Sequence, residues 1–166
     1  MNNKHFGIIL FLIGIVYFAF QYWDQHRIKN SFDHVKMVDF ENRTLDMKVF
    51  RGKYVLVDIF GVWCIDCTRS INGLNSLKET LGNKDWEVIG LNNDEVDKTK
   101  KYIDNHHINY KIYHLVDHYK TMGITAVPTY FVVNREGKIV FKSNEHIDWK
   151  DINNISLLKE IEKKNE

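Results

Sequence analysis

A continuous apolar run that ends near the two cysteines restricts the fold of this chain more than any other feature. Residues 54–60 are apolar without alternation, apart from one carboxylate at Asp58. Such a run predicts a strand buried on both faces, as in the middle of a parallel sheet. Cys64 and Cys67 follow it, and the loop that they would close is too small to stabilise a fold by cross-linking. We therefore expect the cysteine pair to have a chemical role.

The rest of the domain alternates between predicted strands and helices. Apolar residues recur at spacings of three and four after the cysteines, which predicts a helix that ends at Gly82. A second helix is expected to run from a cap at Asn93 or Asp94 to about residue 106, with Val96 on its inner side. Further strands are predicted at 35–40, 86–91, 110–116, 129–133 and 138–142, and a terminal helix is predicted to include Trp149. This order predicts an α/β fold with a central mixed sheet flanked by helices on both faces.

A long apolar segment also lies near the start of the chain, from Phe6 to Trp23, and it carries no charge. At the rise of a helix it is long enough to cross most of a bilayer. A cleaved signal peptide is the alternative, but no small-residue cleavage site follows the segment. We therefore predict a membrane anchor over 1–23, a polar tether over 24–34 and one domain over 35–166. Basic residues flank both ends, so charge alone does not set the orientation.

Charge and ligand spacing argue against two classes of partner. The chain has 23 basic and 22 acidic residues, so no excess charge attracts a polyanion and we expect no nucleic-acid partner. A Cys-x-x-Cys pair can be half of a zinc site, but such sites need four ligands and the chain has no second pair. Histidines at 106, 107, 114 and 118 could in principle complete one. Because histidines in polar stretches are usually only solvated, we predict no metal and no cofactor.

The position of the first cysteine explains what the pair could do. Cys64 stands where the predicted strand gives way to a helix, beside unpaired backbone N–H groups and the positive end of the helix dipole. Both features favour the thiolate, which is a nucleophile near neutral pH. Cys64 could therefore attack a substrate disulfide, and Cys67, one turn later, could resolve the mixed disulfide.

Asp58 is the second candidate for a catalytic role. A carboxyl group in an apolar strand has its charged form disfavoured by desolvation, so Asp58 could stay protonated near neutral pH. It could then exchange a proton with Cys67 during the reaction. The alternative is a core aspartate that is merely satisfied by hydrogen bonds.

Two stretches together carry a family resemblance. Val-Asp-Ile-Phe-Gly-Val-Trp-Cys-Ile-Asp-Cys at 57–67 and Ala-Val-Pro-Thr at 126–129 resemble the thioredoxin superfamily. From about Val35 to the end, the chain is similar to its membrane-anchored extracytoplasmic branch, the TlpA-, ResA- and CcmG-like thiol-disulfide oxidoreductases. The resemblance implies a thioredoxin-like fold and an enzyme that exchanges disulfides through Cys64 and Cys67, with Asp58 as the buried acid.

The resemblance also implies the residues that bind substrate. In the family, the proline that matches Pro128 is cis and faces the cysteine pair, and the backbone of the residue before it, Val127, pairs with an extended substrate strand. A cis X-Pro bond costs little compared with other cis peptides. Pro128 is the only proline in the chain, which weakens the alternative of an ordinary loop proline. Trp63, next to Cys64, completes the predicted substrate-binding set.

The cellular setting is likewise implied by the resemblance. It places the soluble domain outside the cytoplasm, on the periplasmic side of the inner membrane, as a monomer. The implied partners are client proteins that contain disulfides and a membrane protein that passes electrons from the cytoplasm.

Some residues depart from the family pattern. Cytochrome-maturation members commonly carry glutamate where this chain has Ser70, and CcmG-like members carry one where it has Thr129, so a dedicated role in haem attachment is disfavoured. Asp66 places a negative charge beside Cys64, which should disfavour the thiolate and make the protein a reductant. A disulfide oxidase or isomerase, a cytochrome c maturation thioredoxin and a redox-inactive peptide-binding module remain as alternatives. A peroxidase is less favoured, because no threonine or proline precedes Cys64 at the required spacing.

Overall fold

The computed structural model describes residues 3–26, 31–81 and 85–165, and the side chains of residues 8–21 in the first helix. The α-helices are α1 Asn3–His26, α2 Ile65–Leu81, α3 Val96–His106 and α4 Ile152–Lys164. The strands are β1 Lys36–Val38, β2 Thr44–Asp46, β3 Tyr54–Ile59, β4 Trp86–Asn92, β5 Lys111–Leu115, β6 Thr129–Val133 and β7 Ile139–Ser143. A short 3-10 helix, Met47–Phe50, joins β2 to β3 through a turn.

The described strands form one mixed sheet in the order β2-β1-β5-β4-β3-β6-β7. Strands β3, β4 and β5 are parallel to one another, whereas the other pairings are antiparallel. The predicted mixed sheet is therefore confirmed. All six residues of β3 are buried, as its unbroken apolar run predicts, because β4 and β6 flank it and both of its faces are covered.

Successive residues of β3 point to opposite faces of the sheet, and they belong to two separate cores. Leu56 and Phe60 pack in one core with residues of α2, α3 and α4. Val57 and Ile59 pack in the other, which is closed by Phe32, by the 3-10 helix and by the turn around Tyr119. Asp58 alternates with Val57 and Ile59, and therefore lies on the face that α2 covers.

The prediction of helices on both faces is wrong for the α-helices. Helices α2, α3 and α4 all contribute to the core on one face, and the other described core contains no α-helical residue. The strand order explains this result. The crossovers β3-α2-β4 and β4-α3-β5 step across the sheet in the same direction, and right-handed crossovers in one direction place their helices on the same face.

The observed elements differ from the predicted ones at three places, and each difference has a local cause. Strand β2 was not predicted because its three residues are too short to show a period. Helix α3 begins after Glu95, which makes no side-chain cap bond, and Val96 is exposed rather than inside. Trp149 is fully buried but precedes α4, which Asp151 caps by accepting from the N–H of Asn153.

The N-terminal region is helical from Asn3 to His26, and the described side chains from 8 to 21 are exposed. Within the described part of the chain, no helix has the combined length and apolar character that a membrane span requires. The anchor over 1–23 thus stays a prediction. Residues 27–30 of the predicted tether and Gly82 lie outside the described residues. Ser31 pairs with Lys138, and Phe32 is fully buried against Phe131, so contacts with the sheet begin before the predicted boundary at 35.

Candidate active site

The loop between β3 and α2 presents the two cysteines at the carboxyl edge of the parallel strands. Cys64 precedes the first residue of α2 and Cys67 lies in its first turn, and a disulfide joins them. Cys64 is 6% exposed and Cys67 is 1% exposed, so Cys64 is the more accessible residue of the pair. The backbone N–H of Cys67 donates to Cys64 Sγ at 3.1 Å. A donor in this position, at a helix N-terminus, favours a thiolate at Cys64 when the pair is reduced.

Pro128 lies opposite the cysteines, as predicted. The Val127–Pro128 peptide bond is cis, which confirms the predicted geometry. The carbonyl oxygen of Val127 is 3.6 Å from Cys64 Sγ. The backbone of Val127 therefore borders the sulfur that a substrate disulfide would reach.

Two large apolar side chains are exposed next to the disulfide. Trp63 is 66% exposed and Ile65 is 72% exposed. The Trp63 indole covers Gly61, where an added Cβ would lie 2.7 Å from Nε1, so the missing side chain at 61 allows the ring to lie there. Exposed apolar groups gathered at one place are typical of a surface that binds another protein.

Asp58 lies beneath this surface. It is 2% exposed, and burial raises the pKa of its carboxyl group to about 8. Its Oδ1 has no hydrogen-bond partner among the described residues. Both findings agree with a protonated carboxyl near neutral pH, and the missing partner argues against an aspartate that is simply satisfied by hydrogen bonds.

Asn93 and Asp94 have a different role from the helix cap that their position suggested. Asp94 Oδ2 accepts from the backbone N–H of Val62 at 2.9 Å, which ties the cysteine loop to the end of β4. The Asn93 amide donates to the carbonyl oxygen of Leu115 at 3.0 Å, and its Oδ1 accepts from the N–H of Tyr119 at 2.9 Å. Three neighbouring loops at the carboxyl edge are therefore held together. The only sign of this role in the sequence is that both residues are polar and directly follow a buried strand.

Two hydroxyl contacts were also missed by the sequence prediction. The Thr68 hydroxyl lies 3.2 Å from the carbonyl oxygen of Cys64 and 2.9 Å from the Tyr102 hydroxyl. The Tyr130 hydroxyl donates to Ser70 Oγ at 2.6 Å. Both contacts connect the first two turns of α2 to elements far away in sequence, so no local pattern could reveal them.

The charge of Asp66 is not isolated beside Cys64. Arg69 donates to Asp66 Oδ1 at 2.8 Å, and both side chains are more than half exposed. Solvent and this partner together screen the carboxylate, so its effect on the Cys64 thiolate is small. Asp66 by itself therefore does little to make the protein a reductant.

The described residues contain no cluster of three or more histidine, cysteine or acidic side chains that could hold a metal ion. His114 is half-buried, and burial lowers the pKa of its imidazole. Its Nε2 is buried without a hydrogen-bond partner in the described part of the chain.

The chain is similar to known proteins both in sequence and in fold. A family model described as the AhpC/TSA family matches residues 28–142. The thiol-disulfide oxidoreductase ResA of Bacillus thuringiensis subsp. konkukian is 27% identical over 143 residues, which cover 80% of this chain and 82% of that protein. The thioredoxin domain of a thiol-disulfide oxidoreductase from Bacteroides vulgatus superposes with a TM-score of 0.68 at 22% identity, covering 81% of this chain and 99% of that one. A thiol:disulfide interchange protein from Bacteroides sp. gives a TM-score of 0.68 at 22% identity over 82% and 92% of the two chains. The predicted thioredoxin-like fold is confirmed by these structures.

Proposed function

The chain belongs to the AhpC/TSA family and is a thiol-disulfide oxidoreductase of the thioredoxin type, and from this premise we propose that it reduces disulfides in client proteins outside the cytoplasm. The observation that carries the proposal is the position of Cys64. Its sulfur lies beside the Val127 carbonyl at 3.6 Å and next to the exposed Trp63, while Cys67 is buried behind it. One sulfur is therefore placed to meet a client and the other to resolve the intermediate.

The first chemical step takes place at Cys64. In the reduced protein its thiolate attacks one sulfur of the client disulfide, a bond forms between Cys64 Sγ and that sulfur, and the client S–S bond breaks. The other client sulfur leaves as a thiolate and takes a proton from solvent. The N–H of Cys67, which donates to Cys64 Sγ, favours the attacking thiolate.

The second step releases the client. In the molecules in which Asp58 is ionised, the minor form near neutral pH, the Cys67 thiol gives its proton to the Asp58 carboxylate, and the resulting thiolate attacks Cys64 Sγ. The intramolecular disulfide forms, and the bound client sulfur leaves as its second thiolate. Two electrons have then passed to the client. Because the pKa of Asp58 is raised to about 8, the carboxyl group can both accept and return this proton near neutral pH.

The reducing direction is supported by how few hydrogen-bond donors lie at Cys64 Sγ, the atom that would carry the charge of the thiolate. The described residues supply the Cys67 N–H to Cys64 Sγ, and the nearby Arg69 is engaged by Asp66. Oxidising members of such families owe their potential to a strongly stabilised reduced form. A weakly stabilised thiolate favours the disulfide in the protein, and so favours donation of electrons.

A membrane anchor would explain how the protein is recharged. Structural disulfides, which the proposed clients would contain, persist mainly in oxidising compartments outside the cytoplasm. The uncharged apolar segment from Phe6 to Trp23 supports attachment at the membrane surface, where a membrane protein could pass electrons from the cytoplasm. A membrane-impermeant thiol reagent tests this placement. It should label reduced Cys64 in intact cells, and protection until the cells are lysed would contradict an extracytoplasmic domain.

Trapping of clients in cells tests the proposed reaction. The variant Cys67→Ala cannot resolve its mixed disulfide, so clients should accumulate in covalent complexes through Cys64 that a reducing agent releases. A double variant, Cys64→Ala with Cys67→Ala, is the control for binding without chemistry. A redox-inactive peptide-binding module would give no covalent complex with either variant, and this result would reject the proposal.

A further inference from the structure

The exposed apolar side chains of the domain are concentrated at the edge of the sheet that carries the cysteines. After α1, the described part of the chain exposes six large apolar side chains, which are Val49, Trp63, Ile65, Val96, Val116 and Ile152. Trp63 and Ile65 flank the disulfide. Val96 and Val116 follow β4 and β5, which run parallel to β3, so they lie beyond the carboxyl ends of those strands. Single exposed apolar residues are common on proteins, whereas four on neighbouring loops indicate a binding surface.

Hydrogen bonds hold these loops side by side. The loop that leads from β4 into Val96 is joined to the cysteine loop where Asp94 accepts from the N–H of Val62 at 2.9 Å. The same loop is joined to the end of β5 where Asn93 donates to the carbonyl oxygens on both sides of Val116, at 3.0 and 3.2 Å. The three loops therefore form one continuous surface beside the disulfide.

The strand order gives the extent of this surface. Adjacent strands lie about 4.8 Å apart, so the surface extends about 10 Å from the end of β3 to the end of β5. An extended chain advances about 3.3 Å per residue, so about three residues would cover this distance. The surface lies on the β4 side of β3, whereas Val127 and Pro128 precede β6 on the other side. It is therefore separate from the backbone of Val127, which borders the sulfur of Cys64.

The chemistry of the surface favours an apolar ligand. Val96 is 44% exposed and Val116 is 53% exposed, so both offer apolar area that a ligand could remove from water. The charged neighbours of Val96 on α3 are partly neutralised, because Lys98 donates to Glu95 Oε1 at 2.9 Å. A folded client buries most of its apolar side chains, whereas an extended segment presents them.

We propose that Val96 and Val116 bind apolar residues next to the client cysteine, so that the protein selects disulfides in extended, apolar segments. This inference rests on the proposed function and names its substrate class. The redox step is the one already described. Two electrons pass from the cysteine pair to the client disulfide, and the apolar surface adds binding without a further change of bonds.

Reduction of two matched peptide disulfides tests the proposed selectivity. Each substrate is a symmetric dimer of a short peptide joined through its central cysteine, with leucine and valine on both sides of the cysteine in one peptide and serine in the other. We expect the reduced full chain to reduce the apolar dimer about tenfold faster than the serine dimer. The double variant Val96→Ser with Val116→Ser should reduce both dimers at the same rate. Oxidised glutathione, which has no apolar flanking residues, should react equally with both proteins.

The double variant Val49→Ser with Ile152→Ser is the matched control, because these side chains are equally apolar and exposed but lie on the 3-10 helix and α4. It should keep the preference for the apolar dimer. An unchanged preference without Val96 and Val116, or an equal loss in the control, would overturn the proposal. Sedimentation of the same proteins reports on a second copy as the occupant. Self-association that is lost only without Val96 and Val116, with the peptide preference retained, would also overturn it.

A binding measurement separates this inference from the proposed function. If the unmodified reduced chain reduces neither peptide dimer nor glutathione, the proposed function fails. The surface is then tested without chemistry in Cys64→Ser with Cys67→Ser, using the apolar peptide with serine in place of its cysteine. Binding that weakens about tenfold on the further loss of Val96 and Val116 would support the surface, and unchanged binding would reject it.

Discussion

At the scale of single residues, Asp58 makes the stability of the domain depend on pH. Burial raises the pKa of its carboxyl group to about 8, whereas an aspartate in an unfolded chain titrates near 4. Between these values the folded protein binds a proton that the unfolded chain has released. The free energy of unfolding should therefore fall as the pH rises from about 4 to about 8, by at most about 1.4 kcal/mol per pH unit from this group.

Asp58→Asn removes that dependence. The free energy of unfolding of the oxidised protein is measured with denaturant at several pH values. From about pH 4 upward, the value for the variant should rise relative to that for the unmodified chain, and the difference between the two should be constant above about pH 8. Asp104→Asn, at an exposed position on α3, is the control and should follow the unmodified chain. If the free energies of unfolding of Asp58→Asn and of the unmodified chain change in parallel with pH, the pKa of Asp58 is not raised in the folded protein.

Single residues also show how far sequence reasoning reaches. Cys64 and Cys67 were predicted from their spacing, and Pro128 from its place in a family pattern, because such signals are written locally in the chain. Asp58 was predicted because a lone carboxyl group in an apolar strand has few structural reasons to be there. Tyr130 was not predicted as its neighbour, since that approach depends on the register that places β6 beside β3.

At the scale of elements, the loops at the carboxyl edge act together. Asp94 follows β4 and accepts from the N–H of Val62 in the cysteine loop at 2.9 Å. This one contact fixes the loop that carries Trp63 and leads into α2. The sequence predicted a cap for α3 at this position, because an acidic residue before a helix is a common cap and the alternative partner is more than thirty positions away.

Asp94→Ala should loosen the cysteine loop. The N–H of Val62 would lose its partner in a partly buried place, at a cost of about 1–3 kcal/mol. We expect faster hydrogen exchange at Val62 and a slower reaction with client disulfides. Asp94→Asn keeps an accepting oxygen and should behave nearly like the unmodified chain, and Asp97→Ala, on the exposed side of α3, should change neither readout. Equal effects of Asp94→Asn and Asp94→Ala would show that charge matters here and that the hydrogen bond does not.

The helices α2, α3 and α4 lie on one face of the sheet, which the sequence did not predict. Alternation of strands and helices correctly predicted a mixed sheet, but alternation does not specify the side on which a helix lies. That side follows from the spatial order of the strands, β5-β4-β3, which places α2 and α3 on one face. The opposite face is closed by short irregular segments, which carry little periodicity.

At the scale of the whole molecule, the site joins both layers of the fold. The two cysteines belong to the core that α2, α3 and α4 share with the sheet, and Asp58 lies on the same face. Pro128 directly precedes β6, the strand that pairs with β3 on the side away from β4. The fold class could be predicted because one buried strand and one cysteine pair restrict it strongly. The membrane anchor and the direction of electron flow depend on the surroundings of the protein, and they remain proposals.

The reduction potential of the Cys64–Cys67 pair tests the central claim most directly. Trp63 lies next to Cys64, so its fluorescence can follow the redox state during titration with dithiothreitol buffers. A weakly stabilised thiolate predicts a potential near that of thioredoxin, about −270 mV, at neutral pH. A potential near that of the oxidase DsbA, about −120 mV, would contradict the proposed reductase.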